Sequence, residues 1–239
     1  LVDETGMSLE GHRSKWGYAD DIVLDFAADE ILARIRKEDA PVFDAILTLS
    51  SHEPFEVPYK RLENAQLNLF AFTDEQIGRF VEKLRASPEW DNMLVILVPD
   101  HSTGYPVSIG NNSPERHHIP MLWLGGAVKE DMTVNEYMSQ TDIPATLLGQ
   151  LGLPHDEYIF SKDISSAEAS RFAYWAFNDG FGMIDSNIFA TASDEAQQTS
   201  AQSTVIYFNK GMLNENVNPL FTYYRNYYEG IRAANFFLD

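Results

Sequence analysis

Three short runs, VFDAILTLS from Val42, MLVILVP from Met93 and MLWLGG from Met121, are apolar almost throughout and not on alternate residues only. A strand of that kind must be covered on both faces, so the chain has to place helices on either side of a sheet. The intervening segments supply them. Asp20 or Asp21 caps a helix through Ile22, Phe26, Ile31 and Ile35, whose spacing puts them on one face. A second helix is expected from Thr73, where Thr73 and Gln76 form a capping box and Ile77, Phe80, Val81 and Leu84 make the apolar stripe. A third runs from Thr141 through Ile143, Leu147, Leu148 and Leu151. The order helix, strand, helix, strand, strand, helix predicts an α/β fold with its sheet sandwiched between helices.

A chain of 239 residues can bury one substantial core with a small appendage. Composition shifts near Ser165: residues 1–165 carry a net charge of −15, whereas 166–239 carry −4 and hold 15 of the 30 aromatic residues. The expected organisation is therefore an α/β domain over 1–165 and a small, aromatic-rich α+β subdomain over 166–239. In the latter, FAYWAF and the segment Met183 to Ala190 flank Asn178-Asp179-Gly180, which predicts an antiparallel hairpin. A further strand is expected at Thr204 to Phe208 and an aromatic-rich helix from Val217 to Phe237.

The formal net charge of −19 argues against nucleic-acid partners and anionic membrane surfaces, both of which need a basic face. The absence of cysteine excludes disulfides, thiolate metal sites and cysteine nucleophiles. No apolar run approaches the roughly 20 residues of a spanning helix, and the N-terminus lacks the order of a signal peptide. The chain is expected to be soluble as it stands and, starting on Leu1 without Met, to be a piece of something longer.

In open α/β sheets ligands gather beyond the carboxyl ends of the strands. The first apolar run exits into Ser50, Ser51 and His52, the second into Asp100 and His101, and Arg116, His117 and His118 precede the third. Asp100 and His101 are the sharpest pair, because a carboxylate and an imidazole at a strand end suit one divalent cation, which would in turn attract an anionic group. The competing reading is a surface turn. His52 is placed to hydrogen-bond a substrate or to exchange a proton near neutral pH, against a loop-tying role. Of His117 and His118, adjacent residues entering a strand face opposite sides, so at most one of the two readily addresses the site and the sequence leaves the choice open. A serine-hydrolase arrangement of Ser50 or Ser51 with His52 and Asp100 lacks both a nucleophile elbow and nearby oxyanion donors.

Taken in order, WGYADD, LTLSSHEPF, TDEQIGRF, WDNMLVILVPDH, HHIPMLWLGG and SQTDIPATLLGQLGLP resemble the sulfatase and alkaline phosphatase superfamily over about residues 12–165. More narrowly they resemble its lipoteichoic acid synthase and phosphoglycerol transferase branch. The resemblance implies an alkaline phosphatase-like fold and assigns Asp100 and His101 to one divalent metal, commonly manganese, with magnesium or calcium as alternatives. It assigns His52 to the phosphate-bearing substrate, and His117 and His118 stand beside it as candidate substrate-binding residues from their place before the third run. The remaining metal ligands and a threonine nucleophile lie, in that branch, upstream of what this chain contains. One departure is Ser102, where relatives carry a glycine after the histidine.

The implied chemistry is transfer or hydrolysis of a phospho- or sulfo-ester, such as a phosphatidylglycerol-like lipid, through a covalent Thr or Ser intermediate. The implied location is outside the cytoplasmic membrane, on N-terminal helices not present here, and the chain by itself is expected to show no turnover. The alternative is a non-catalytic binding or assembly domain that retains the fold. A sheet edge left open by a missing first strand would invite pairing with a second copy, giving a homodimer.

Overall fold

The structure is a computed structural model and describes residues 9–38, 40–53, 56–106, 108–110, 113–177, 180–186 and 189–193. Tertiary contacts divide the chain into two compact units, Leu1–Leu97 with Met121–Asp131, and Val98–Pro120 with Met132–Asp239.

In the first unit a two-residue ladder between β1 (Arg13–Ser14) and β2 (Gly17–Tyr18) leads into α1 (Asp20–Lys37). Its N-cap is Ala19, which makes no side-chain cap. Neither Asp20 nor Asp21 is the cap, and Asp20 is instead turned inward from the first turn. The buried row of α1 is Leu24, Ala28 and Leu32, four residues apart. Ile31 and Ile35 pack beside that row, while Ile22 and Phe26 are half-buried. The apolar face is thus rotated from the one the large residues alone suggested, since the small Ala28 is fully buried in one cluster with Phe80, Val81 and Leu84 of the neighbouring helix.

That neighbour, α2 (Ala65–Arg85), starts well before Thr73. Asn64 is its N-cap, accepting from the Leu67 N–H at 3.0 Å. The expected box at Thr73 and Gln76 does not form, since QLNLFAF ahead of it contains no helix breaker and the helix runs straight through. The stripe itself is as expected: Phe80, Val81 and Leu84 are buried against Leu24, Ala28, Leu32 and Met93, with Ile77 alongside.

A 3₁₀ turn, Pro88–Asn92, follows α2 and is tied to α1 by a two-pronged bond from Arg36 to Glu89, at 2.9 and 3.2 Å. That hydrogen-bonded guanidinium holds the Glu89 carboxyl down to about 2. The turn sets up β3 (Val95–Leu97), which pairs antiparallel with β4 (Leu122–Leu124), Val95 opposite Leu124 and Leu97 opposite Leu122. At the end of β4, Gly125 has φ +123°, and a Cβ there would lie 2.2 Å from the Met93 carbonyl oxygen. Gly125→Ala combines a backbone conformation unfavourable to side chains with a collision against main chain. It is expected to lower stability by about 2 kcal/mol or more, read from the midpoint of urea unfolding. An unshifted midpoint would show that the turn relaxes freely.

The run from Val42 to Ser50 is not a strand. It is composed for burial, yet Phe43 is 83% exposed and Leu47 66% exposed. The reason is pairing. Among the described residues the ladders join β1 to β2, β3 to β4, and β5 to β6 and β7, and none offers this run a neighbour. Composition creates the tendency to form a strand, but only a partner's hydrogen bonds make one.

In the second unit, β5 (Phe172–Phe177) and β6 (Gly180–Asp185) pair antiparallel, and β7 (Phe189–Ser193) pairs with β6. The segment Met183 to Ala190 is therefore not one strand. It contains the end of β6 and the beginning of β7, so the expected hairpin becomes a three-stranded meander. Among its described residues this unit also holds two short helices, α3 (Pro114–His117) and α4 (Ile143–Gln150), the second entered through a 3₁₀ turn at Gln140–Asp142. Ser139 and Asp142 make a capping box, and the fully buried Asp142 accepts from Lys162 Nζ at 2.7 Å and from its N–H at 2.9 Å. Residues 204–208 and 217–237, expected as strand and helix, lie outside the described residues. No helix among the described residues is long and apolar enough to cross a membrane.

Candidate functional site

The first unit positions His52 through a buried carboxylate. Asp20, 1% exposed, accepts from the N–H of Leu49 at 2.8 Å, from that of Ser50 at 3.2 Å on both oxygens, and from the Thr73 hydroxyl at 2.8 Å. In return the Asp20 N–H donates to Ser50 Oγ at 2.8 Å. One side chain thus clips the exit of the 42–50 run to α1 and α2 together. The Ser50 hydroxyl, the rival nucleophile, is thereby buried and accepts from main chain.

Beyond the clip, the chain turns back on itself, with the His52 N–H donating to the Leu49 carbonyl at 3.1 Å. The His52 Nδ1 lies 2.7 Å from the Glu53 carbonyl, which also accepts from Trp16 Nε1 at 2.6 Å. With the proton on Nδ1, the His52 Nε2 carries the lone pair. The Trp16 ring stands edge-on to the imidazole, centroids 4.8 Å apart. Beside this pair opens a small cleft lined by His12, Ser14, Tyr18, Ser50 and His52. The arrangement leaves one exposed imidazole nitrogen, aimed by main chain and an aromatic wall, for a ligand or a proton.

Asp100 and His101 belong to the second unit. Asp100 Oδ1 accepts from the His101 N–H at 2.8 Å, and Asp100 Oδ2 lies 3.5 Å from His101 Nε2. His101 Nδ1 is 2.7 Å from the Ser102 carbonyl, and with the proton on that nitrogen Nε2 carries the lone pair. Both side chains are open to solvent, 72% and 65% exposed. A carboxylate oxygen and an unprotonated imidazole nitrogen at this separation suit a hard or borderline divalent ion as two neighbouring ligands. They are two donors only. Among the described residues no group of three or more His, Asp or Glu side chains converges.

Two side chains that the sequence did not single out fix the main chain around this pair. Gln140, in the turn before α4, donates from Nε2 to the Pro99 and Asp100 carbonyls, each at 2.7 Å. Arg116 is 7% exposed and donates to the carbonyls of Thr103, Tyr105, Pro106 and Ile109, with 3.3 Å to Tyr105 and 3.0 Å to Pro106. A buried arginine aimed at carbonyls has no periodic or motif signature. The only cue was its place in the basic triplet Arg116-His117-His118.

That triplet does not enter a strand directly. Pro114 at the first helical position starts α3, His117 is its last residue, and His118 is the C-cap. The alternation expected for a strand therefore does not apply. His117 stacks on Trp175, centroids 5.1 Å apart and planes 20° from parallel, while His118 is exposed.

A family model described as Sulfatase matches residues 3–153. A lipoteichoic acid synthase-like protein, YvgJ, of Bacillus subtilis is 23% identical over 197 residues, which is 68% of this chain and 30% of the relative. Phosphoglycerol transferase I of Xanthomonas campestris pv. campestris is 26% identical over 150 residues, 57% of this chain and 21% of the relative. This chain thus spans less than a third of the length of either. Among solved structures, a protein in the alkaline phosphatase superfamily from Vibrio parahaemolyticus superposes with a TM-score of 0.70 at 25% identity, covering 80% of this chain and 48% of that one. The fold is therefore the alkaline phosphatase-like α/β fold, and since the family match covers well over half of the residues, this chain belongs to the sulfatase family.

Proposed function

We propose that this chain is the later part of the catalytic domain of a metal-dependent phosphoglycerol transferase or sulfatase-like hydrolase. The observation that carries the reading is the Asp100 carboxylate beside the His101 imidazole, Oδ2 and Nε2 3.5 Å apart, with His101 Nδ1 2.7 Å from the Ser102 carbonyl. Family membership and the two relatives, both described by phosphoglycerol or lipoteichoic acid chemistry, support it.

In this reading Asp100 and His101 are two ligands of a manganese-type ion, and the rest of the set, with a threonine or serine nucleophile, comes from sequence ahead of Leu1. The relatives and the solved neighbour are long enough to carry such a segment, since this chain matches 48% of one and 30% or less of the others. When bound, the ion supplies positive charge next to the ester's non-bridging oxygens, where charge builds up as the group is transferred. His52 works on the substrate side. Its Nε2 accepts a hydrogen bond from, or exchanges a proton with, the hydroxyl that leaves or receives the group. Trp16 holds the ring in place and shields one flank from water. The substrate is a phosphatidylglycerol-like lipid or a sulfate ester met outside the cytoplasmic membrane, with anchoring by helices N-terminal to this chain.

The test is a longer protein that carries this chain together with preceding sequence. Supplied with manganese, it is expected to release diacylglycerol from phosphatidylglycerol or to cleave a nitrophenyl sulfate, and to stop when the ion is chelated. The 239-residue chain alone is expected to do neither. A longer protein that retains no divalent ion and turns over neither ester would overturn the reading.

A further inference from the structure

We infer that Arg116 is a positioning residue for the Asp100–His101 pair, acting through the main chain that leaves His101. The inference rests on the reading of that pair as metal ligands, and it concerns what keeps the two donors converged.

Past His101 the described residues through Gly110 form neither helix nor strand, so their carbonyls find no partners in a ladder. Main-chain oxygens withdrawn from water need donors from elsewhere. Arg116 provides them. Nη1 reaches the Thr103 and Tyr105 carbonyls, and Nη2 those of Pro106 and Ile109, so one planar fork collects four oxygens from seven residues of chain. Its Nε–H, equally buried, has no hydrogen-bond partner. No acidic side chain pairs with the guanidinium among the described ion pairs. Among the described residues the cation is held by carbonyl dipoles, an arrangement that fixes geometry without neutralising charge.

The link to the pair is short. His101 Nδ1 is anchored on the Ser102 carbonyl, and the next carbonyl along the chain, that of Thr103, is the first one Arg116 holds. On the other side, Gln140 holds the carbonyls of Pro99 and Asp100. The two candidate ligands therefore sit on a stretch of main chain pinned at both ends, which allows exposed side chains to keep a defined separation. Outer partners that orient ligands in this way typically govern affinity by about 10- to 100-fold. A lysine at the same position carries the charge but offers one nitrogen, which cannot gather four separated oxygens.

The experiment uses the longer protein, with Arg116→Gln and Arg116→Lys compared with wild type. Manganese binding is followed by the electron paramagnetic resonance signal of the free ion, and amide hydrogen exchange is measured in the 98–110 peptide and in α1. The expected result is manganese affinity at least about tenfold weaker in both variants, with lysine restoring only part of it. Exchange in 98–110 is expected to rise while α1 stays protected. A merely structural arginine would lower the unfolding temperature and leave manganese affinity as in wild type, and that result overturns the inference. If wild type itself binds no manganese, the metal reading fails. Exchange then decides the rest: a faster 98–110 segment in both variants supports Arg116 as the residue that sets the loop, and an unchanged one overturns it.

Discussion

Asp20→Ala is expected to lower stability by about 3–5 kcal/mol, measured by denaturant unfolding, and to set free the segment that carries His52. The substitution removes the acceptor for three donors at once, the Leu49 and Ser50 N–H groups and the Thr73 hydroxyl. A donor left buried and unpaired costs about 1–3 kcal/mol, and water reaching the vacated space recovers part of the loss. The carboxylate also sits in the first turn of α1, where the helix dipole favours negative charge. Asp20→Asn separates the contributions. The amide keeps one oxygen for Leu49 and Ser50 and presents an NH₂ to the hydroxyl of Thr73, which can rotate to accept, so a smaller loss of about 1–2 kcal/mol is expected. A variant Asp20→Ala that unfolds at the wild-type midpoint would show that the 49–52 turn is held by something other than this clip.

The helical part of the fold was legible because it depends on local period. Phe80, Val81 and Leu84 recur at helical spacing and are buried as that spacing predicts. The start of α2 was misplaced because a capping-box pattern also occurs inside helices. The stronger signal was Asn64 with nothing to stop a helix after it, and Thr73 turned out to serve Asp20 and not the helix end. The 42–50 run failed for a different reason. Its residues carry the right composition, but strand formation is a property of a pair, and the partner is not encoded in the run itself. In α1 the buried row follows the helix period, yet the choice between two adjacent faces depended on Ala28, which fits close under α2 and carries little weight in a count of large apolar residues.

The candidate site divides along the same line. Asp100 and His101 could be picked out because an apolar run empties straight into them, and their convergence needs no residue from far away. The placement of His117 and His118 at a strand entry was misjudged although the cue was present, as Ser113-Pro114-Glu115 is a helix-start pattern placed just ahead of them. Arg116 and Gln140 were out of reach. Both act on main-chain carbonyls, which every residue possesses, so nothing in the side-chain sequence marks their targets. Residues that orient a site are in general less visible than residues that perform its chemistry, because only the latter are restricted in type.

Asp100→Asn and His101→Ala are expected to weaken manganese binding by about 100-fold or more in the longer protein while leaving unfolding within about 0.5 kcal/mol of wild type. The two halves of that expectation follow from exposure. Side chains 72% and 65% open to solvent contribute little to packing, so their removal hardly touches stability. A ligand set that loses one of its donors, or one of its negative charges, loses affinity directly. Asp100→Asn is the sharper of the two tests. It preserves the shape of the side chain and an oxygen for the His101 N–H, and it removes only the charge a divalent ion needs. The contrast with Asp20 is then a contrast between two carboxylates of one chain, one enclosed by donors and expected to matter for folding, the other exposed and, in the proposed reading, a ligand of the ion. Retention of wild-type manganese affinity by Asp100→Asn would mean that the carboxylate is a surface group hydrogen-bonded to its neighbour, and the metal assignment of His101 would fall with it.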